Sequence, residues 1–364
     1  MKIQPNRLDR PFFQHQQKLE EAALRVLRSG WYVLGKEVSS FEEEFKHYIG
    51  SNHCVGLASG LDALWIAVRL LGIGSGDEII IQANAYIACV MGITINGATP
   101  VFVEPDEFYQ LDANRIEEAI TEKTKAIMVV HLYGQTADME AIVKVAKKYN
   151  LQVIEDCAQS HGSEQNGIKS GNFGDVGCFS FYPSKNLGAF GDAGAVTCQS
   201  DDLAEAFRVF RNYGSEKRYH NRVVGTNSRL DEIQAALLRT RLEVLDELNL
   251  ERKEICQRYL EGIYHESIIL PQVREGCSTV WHQFVVRVES RERFINYLNR
   301  NEIGTIIHYP IPPHLAEAYQ YLGHKAGDFR ITEYYSDTIL SLPLYNGMTI
   351  EEQEYVIKVI NNYE

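Results

Sequence analysis

Seven short runs rich in β-branched and other apolar residues punctuate the first two-thirds of the chain. They are Cys54 to Ala58, Glu78 to Ile81, Pro100 to Val103, Ala126 to His131, Leu151 to Asp156, Val176 to Phe181 and Gly194 to Cys198. Between several of them lie stretches with helical spacing of apolar residues, Leu61 to Leu71, Ala85 to Ile95, Asn114 to Ile120 and Met139 to Tyr149. A helix between two strands returns the chain to the edge it left, so the strands it joins pair in parallel. The expected fold is therefore α/β, a mostly parallel sheet covered by helices on both faces. In such sheets ligands gather at the carboxyl ends of the strands, and Asp156 falls at one of these ends.

With 364 residues the chain exceeds what one small core needs, and it suits a large domain followed by a smaller one. A charged helix is expected from about Ser228 to beyond Tyr259, long enough to bridge two domains. After Glu261 the texture changes. Trp281 to Val288 and Ile303 to His308 read as strands, with helices over Arg291 to Asn301 and Thr349 to Asn362. We divide the chain into a large domain, 1–245, and a small α+β C-terminal domain, 246–364. The segment Tyr309-Pro310-Ile311-Pro312-Pro313 cannot be helical, because its prolines lack donors and restrict the residues before them.

A formal net charge of −13 argues against a general nucleic-acid binder and against adhesion to anionic membranes. The seven cysteines are scattered, with no CxxC pair and an odd total, as in a reducing compartment. The N-terminus lacks the apolar core of a signal peptide, and no apolar run approaches the roughly 20 residues needed to span a bilayer. A cytoplasmic protein is expected.

Two positions turn this frame toward chemistry. Asp156 ends one apolar run, and Lys185 lies in Ser180-Phe181-Tyr182-Pro183-Ser184-Lys185-Asn186, just after the next. A lysine can condense with a pyridine-ring aldehyde, and an acid can keep the ring nitrogen protonated. That pair suits pyridoxal 5′-phosphate (PLP), for which a protein supplies placement and electrostatics. The lysine must also be able to become neutral, which burial favours. Gln159, three residues beyond Asp156, is within a helical turn of facing the ring oxygen. Ser59-Gly60 precedes a helix whose first N–H groups make an anion site, and the Ser180 hydroxyl is placed to assist. Tyr86 opens the next helix and could lie flat on the ring. Alone, each has an ordinary reading as surface charge, cap, turn or core residue. The order Gly60, Tyr86, Asp156, Gln159, Ser180, Lys185 carries the cofactor expectation. His131, His161, His282, His308, His314 and His324 show no metal-ligand spacing, so no metal is expected. Only His308, just before the proline-bearing loop, is functional on position. No GxGxxG follows the first strand, which argues against a dinucleotide-binding enzyme.

Over nearly its whole length the chain also resembles the DegT family of sugar-nucleotide aminotransferases, PLP enzymes of the aspartate aminotransferase fold (fold type I). The resemblance rests on Ser59-Gly60-Leu61-Asp62-Ala63-Leu64, Glu155-Asp156-Cys157-Ala158-Gln159-Ser160-His161-Gly162, the Lys185 segment and Gly191-Asp192-Ala193-Gly194-Ala195. Arg211-Asn212-Tyr213-Gly214-Ser215, Asn227-Ser228-Arg229-Leu230-Asp231-Glu232 and His308-Tyr309-Pro310 extend it. It implies that Lys185 bonds the cofactor, Asp156 pairs with the pyridinium, Gln159 with the ring hydroxyl, and Tyr86 stacks on the ring. Ser59, Gly60, Leu61 and Ser180 would hold the phosphate, the amides of Gly60 and Leu61 donating to it. Asn227 would reach the phosphate of a neighbouring subunit, making a homodimer with shared active sites. Tyr182, His308 and Tyr309 would line the sugar pocket, with His161 behind the cofactor. Relatives that do not transaminate often carry histidine at the lysine position, whereas Lys185 is kept here. One departure concerns Gln82-Ala83-Asn84-Ala85-Tyr86, where relatives commonly have proline at 82 and threonine at 85, so Ala85 offers no hydroxyl to the helix start.

The implied reaction transfers an amino group from L-glutamate to a nucleotide-linked keto-deoxyhexose, as in making deoxyamino sugars for lipopolysaccharide or S-layer glycans. His131-Leu132-Tyr133-Gly134-Gln135, Arg211-Asn212-Tyr213-Gly214-Ser215 and Asn227-Ser228-Arg229-Leu230-Asp231 look closest to members that aminate C-3 of dTDP-3-keto-6-deoxyhexoses. The alternatives are C-4 amination of a UDP- or dTDP-4-keto-6-deoxyhexose, and a non-catalytic regulator that binds PLP.

Overall fold

A computed structural model describes residues 1–364. Its centre is a seven-stranded sheet in the order His53–Leu57, Gly194–Cys198, Val176–Ser180, Gln152–Asp156, Thr124–Val130, Glu78–Gln82, Thr99–Val103. Five of these strands pair in parallel, and Gly194–Cys198 runs antiparallel to both of its neighbours. The exception has a local cause. No helix lies between Val176–Ser180 and Gly194–Cys198, so the chain reverses instead of crossing over. Lys185 sits in that reversal. Because His53–Leu57 is antiparallel to the reversed strand, it points the same way as the parallel set. The carboxyl ends of His53–Leu57, Gln152–Asp156 and Val176–Ser180 therefore share one edge.

Alternation along the strands assigns side chains to two faces. Ile79 and Ile81 join Ala63, Leu64, Ile66 and Ala67 of the Gly60–Leu70 helix in one core cluster. Ile80 joins Met139, Ile142 and Ala146 of the Met139–Tyr149 helix in another. All three isoleucines are 0% exposed, and burying each contributes about 1.5–3 kcal/mol. Ile154 and Val153 divide between the same two clusters, so Asp156 and Glu155 take opposite faces. A further cluster packs Phe41 and Phe45 of the Lys36–Ile49 helix against Phe179 and Phe181.

The C-terminal part builds its own core around the antiparallel pair Phe284–Arg287 and Ile339–Leu342. The N-terminus belongs to this core in space. Ile3 is 1% exposed and bridges Ile303. Conversely, Tyr319 and Tyr335 pack into the first cluster, and Glu104 accepts from the N–H groups of Ile331 and Thr332 at the start of the Arg330–Thr338 helix. No helix is long and apolar enough to cross a membrane.

Four sequence expectations are corrected. Asn114 to Ile120 is two short 3₁₀ turns, Ala113–Arg115 and Glu117–Ala119; a segment this short gains little from helical propagation. The long bridging helix is two helices, Glu232–Leu242 and Leu245–Gly262, broken where Val244 takes non-helical angles. The first buries Ala235 and Leu238 with Phe41 and Phe45. The second turns Ile255 and Tyr259 to the C-terminal core, and one straight helix cannot serve both. Ile303 to His308 is not a strand but makes single bridges through Ile303 and Ile306, while Trp281 to Val288 shortens to Phe284–Arg287 because Trp281 has φ 47°.

Candidate active site

The shared carboxyl edge brings together residues far apart in sequence. After His53–Leu57, Ser59 caps the Gly60–Leu70 helix, its hydroxyl accepting from Asp62 N–H at 3.1 Å. The first N–H groups of that helix, from Gly60 and Leu61, precede any intrahelical acceptor. Gly60 lies against Ser180, where a Cβ would stand 2.5 Å from Ser180 Cβ. From behind, a Cβ on Gly194 would stand 2.3 Å from Ser59 O. Two glycines thus let three backbone segments converge on one polar cup. Ser228 secures it, its hydroxyl accepting from Ala58 N–H and donating to Asp62 Oδ2.

On the same edge Asp156 is 5% exposed. Ala158 N–H donates to its Oδ1 at 3.0 Å, and the Cys89 thiol donates to its Oδ2 at 2.8 Å. Gln159 is held at both ends: Tyr133 N–H donates to its Oε1 at 2.7 Å, and its Nε2 donates to the Tyr309 hydroxyl at 3.1 Å. The Tyr86 and Tyr309 rings lie 4.8 Å apart with a 31° tilt. Tyr86 opens the Ile87–Thr94 helix without a side-chain cap, as Ala85 allows, and remains 46% exposed beside the site.

Lys185 hangs from a turn in which its own N–H donates to Tyr182 O at 2.8 Å. Burial pushes its ammonium pKa below the usual lysine value, against the opposing pull of Asp156 and Cys89. Its charge is felt by the surrounding imidazoles. Burial, then Lys185, lowers His161 to about 3 and His308 to about 4. His161 packs on Phe179 and Phe181, and neither of its ring nitrogens has a partner. His308 is held by its Nδ1 against Ser341 Oγ at 2.8 Å, and the Tyr133 hydroxyl donates to its carbonyl oxygen.

Not every expected residue joins this centre. Tyr182 is 54% exposed. Asn227 is also on the surface, its Nδ2 donating to the Tyr213 hydroxyl at 2.9 Å. Three contributors were missed from sequence. Cys89 read only as a scattered cysteine, although it is one turn from Tyr86. Tyr133 holds both Gln159 and His308 from a left-handed backbone position, φ 62°. Asn186 anchors the lysine loop, donating to Asn249 Oδ1 and Val280 O and pairing with His282 Nδ1. Only its place beside Lys185 could have signalled it.

His131, Glu155 and Cys157 also converge, with ligand atoms within 4.8 Å of one another. Ala137 N–H donates to His131 Nδ1, and the other ring nitrogen faces Glu155 Oε2 at 3.0 Å. Gly171, Phe173 and Gly174 N–H groups donate to the same carboxylate. These groups satisfy one another as a structural knot.

The donor set fits a phosphorylated pyridine aldehyde: a polar cup at a helix N-terminus that Gly60 and Gly194 allow, a buried acid, an amide side chain, a flanking aromatic and a lysine with lowered pKa. An α/β protein with such an edge is a PLP-dependent aminotransferase in class. The comparisons agree: residues 14–361 match the DegT/DnrJ/EryC1/StrS aminotransferase family. A dTDP-3-amino-3,6-dideoxy-alpha-D-galactopyranose transaminase of Aneurinibacillus thermoaerophilus is 52% identical over 350 residues, 96% of each chain. The crystal structure of Streptomyces venezuelae DesV superposes with a TM-score of 0.97 at 42% identity, covering 99% of this chain and 98% of that one. NtdA of Bacillus subtilis, whose structure holds the cofactor PMP, superposes at 0.89 with 31% identity, covering 95% and 81%. The chain belongs to the DegT/DnrJ/EryC1/StrS aminotransferase family.

Proposed function

We propose that this aminotransferase converts a dTDP-linked 3-keto-6-deoxyhexose into the 3-amino sugar, with L-glutamate as amino donor. The observation that supports it most is the convergence of Lys185, Asp156 and the Gly60–Ser180 cup on one sheet edge, in a chain 52% identical to a dTDP-sugar 3-transaminase. PLP, when bound, supplies the electron sink. Lys185 is the residue that would hold it covalently and that would carry a proton at its Nζ; its lowered pKa suits both tasks. Asp156 would pair with the ring nitrogen and Gln159 with the ring oxygen, and Tyr86 would stack on the ring. The Gly60 and Leu61 amides, with the Ser59 and Ser180 hydroxyls, would hold the phosphate.

His308 and Tyr309, with Tyr182 exposed outside the cofactor centre, would form the sugar side of the pocket. Asn227 works across a homodimer interface, toward the phosphate of the second copy. Exposed apolar groups beside it support that assembly, with Tyr213 52%, Tyr219 83% and Val224 93% exposed, since patches of this kind mark interaction surfaces. Residues 1–245, apart from the N-terminal segment around Ile3 that packs in the C-terminal core, serve as the cofactor-binding domain and 246–364 as the smaller one, in a cytoplasmic enzyme. Protein loaded with pyridoxamine phosphate and offered dTDP-3-keto, dTDP-4-keto and UDP-4-keto sugars tests the regiochemistry. Conversion of the 3-keto sugar is expected, and turnover only on a 4-keto sugar would reject the proposal.

A further inference from the structure

The Ile87–Thr94 helix meets the site twice within one turn. Tyr86, at its start, flanks the site, and Cys89, three residues on and 0% exposed, donates its thiol to Asp156 Oδ2 at 2.8 Å. Residues three apart share a helix face, so one face of this helix presents both the aromatic and the thiol. The buried Asp156 has only one other protein donor, Ala158 N–H, on its second oxygen. We infer that Cys89 is a positioning residue, whose thiol hydrogen bond fixes the Asp156 carboxylate in the rotamer that meets the cofactor ring nitrogen. The inference rests on the role proposed for Asp156.

A thiol suits this task. It is a weak donor, so it pins the carboxylate without competing strongly with a charged ring nitrogen for the same oxygen. Burial and then Asp156 push the Cys89 thiol pKa up, so it stays protonated and can donate. The other ionisable neighbours are Lys185, Tyr309, Cys178 and Cys157. Cys178 is not an equivalent donor to Asp156, since its thiol donates to Ala63 O at 3.4 Å.

Two substitutions separate hydrogen bonding from packing because they rank oppositely. Cys89→Val keeps apolar bulk and removes the donor, whereas Cys89→Ser keeps a donor and loses apolar bulk. The readout is the PLP dissociation constant of the protein, with the melting temperature of the PLP-free form as a folding control. We expect Cys89→Val to weaken PLP binding about tenfold, with Cys89→Ser within about threefold of the parent, as for loss of a hydrogen bond to a charged group. Unchanged binding in Cys89→Val, or equal loss in both variants, overturns the inference.

If Cys89→Val fails to fold, the infrared S–H stretch of Cys89 decides, assigned by difference against Cys89→Ser. A hydrogen-bonded frequency that moves to the free-thiol position in Asp156→Ala supports the inference, and a free-thiol frequency in the parent protein overturns it. Asp156→Ala also separates the two levels. PLP binding that survives this change removes the role of Asp156 itself. Loss there, with Cys89→Val unaffected, removes only the role of Cys89.

Discussion

Glu155 and Asp156 are consecutive acids at the end of one strand, and the two faces of the sheet treat them differently. Glu155 is 0% exposed and receives the N–H groups of Gly171, Phe173 and Gly174 besides facing His131. Its acceptor capacity is filled, and its work is to tie the 171–174 loop under the sheet. Asp156 has one amide and one thiol, and it looks toward Lys185 across the edge where strands end. A saturated carboxylate holds the fold, and one left with unused lone pairs is available for chemistry. Burial alone does not tell them apart; the donor inventory does.

Substitutions should make the contrast measurable. Lys185→Ala, on the available side, should lower turnover by about ten-thousandfold, since the covalent link and the proton carrier proposed for it would both be lost. It should also abolish the spectral change expected when glutamate, the proposed donor, is added to the PLP-loaded protein. Asp156→Asn should cost roughly a hundredfold or more in turnover with little change in melting temperature, as expected for removing one electrostatic partner of the reacting group. Near-normal turnover would mean that the open carboxylate is not the one used.

Glu155→Gln should do the reverse. An amide NH₂ in place of one oxygen would face backbone donors, at a cost of about 3 kcal/mol in stability. Denaturant unfolding measures this, and turnover per folded molecule should stay close to normal. A variant that folds normally but loses activity would erase the distinction between the two acids.

Gly60→Ala tests the cup, because its Cβ must displace Ser180. A loss of about 2 kcal/mol in stability is expected from overpacking, and it should come with weaker phosphate-dependent binding of PLP.

The smallest effect concerns pH. In the PLP-free protein His161 is lowered to about 3 and His308 to about 4, both by burial and then by Lys185. The unfolded chain therefore binds protons first, near the ordinary histidine value of about 6.5. Their stabilisation is fully present above that value and is lost as pH falls toward 4. Each histidine contributes at most about 1.4 kcal/mol per pH unit in that window. Urea unfolding at pH 7, 6 and 5 should show this slope, and His161→Gln should flatten it.

Much of the site was legible because strand periodicity and motif order are local properties. The apolar runs place Asp156 at a strand end, and Ser59-Gly60 before a helical pattern marks the capped helix start at the same edge. What could not be read depended on contacts across the fold. The break at Val244 exists because two helices serve different cores. Ile3 belongs with the C-terminal core although it is distant in sequence. Cys89 read as one cysteine among seven, since nothing local shows that its thiol meets a residue 67 positions away.

The sequence alone determined the parallel α/β frame, the two faces of each buried strand and the paired lysine and acid, because period and order are written in neighbouring residues. Only the tertiary structure decided which acid is free. That depends on how many donors the folded chain brings to each carboxylate, and the donors come from loops and helices that sequence spacing does not connect. Glu155 meets its amides through the 171–174 loop, while Asp156 meets Cys89 through a helix two strands away in the sheet.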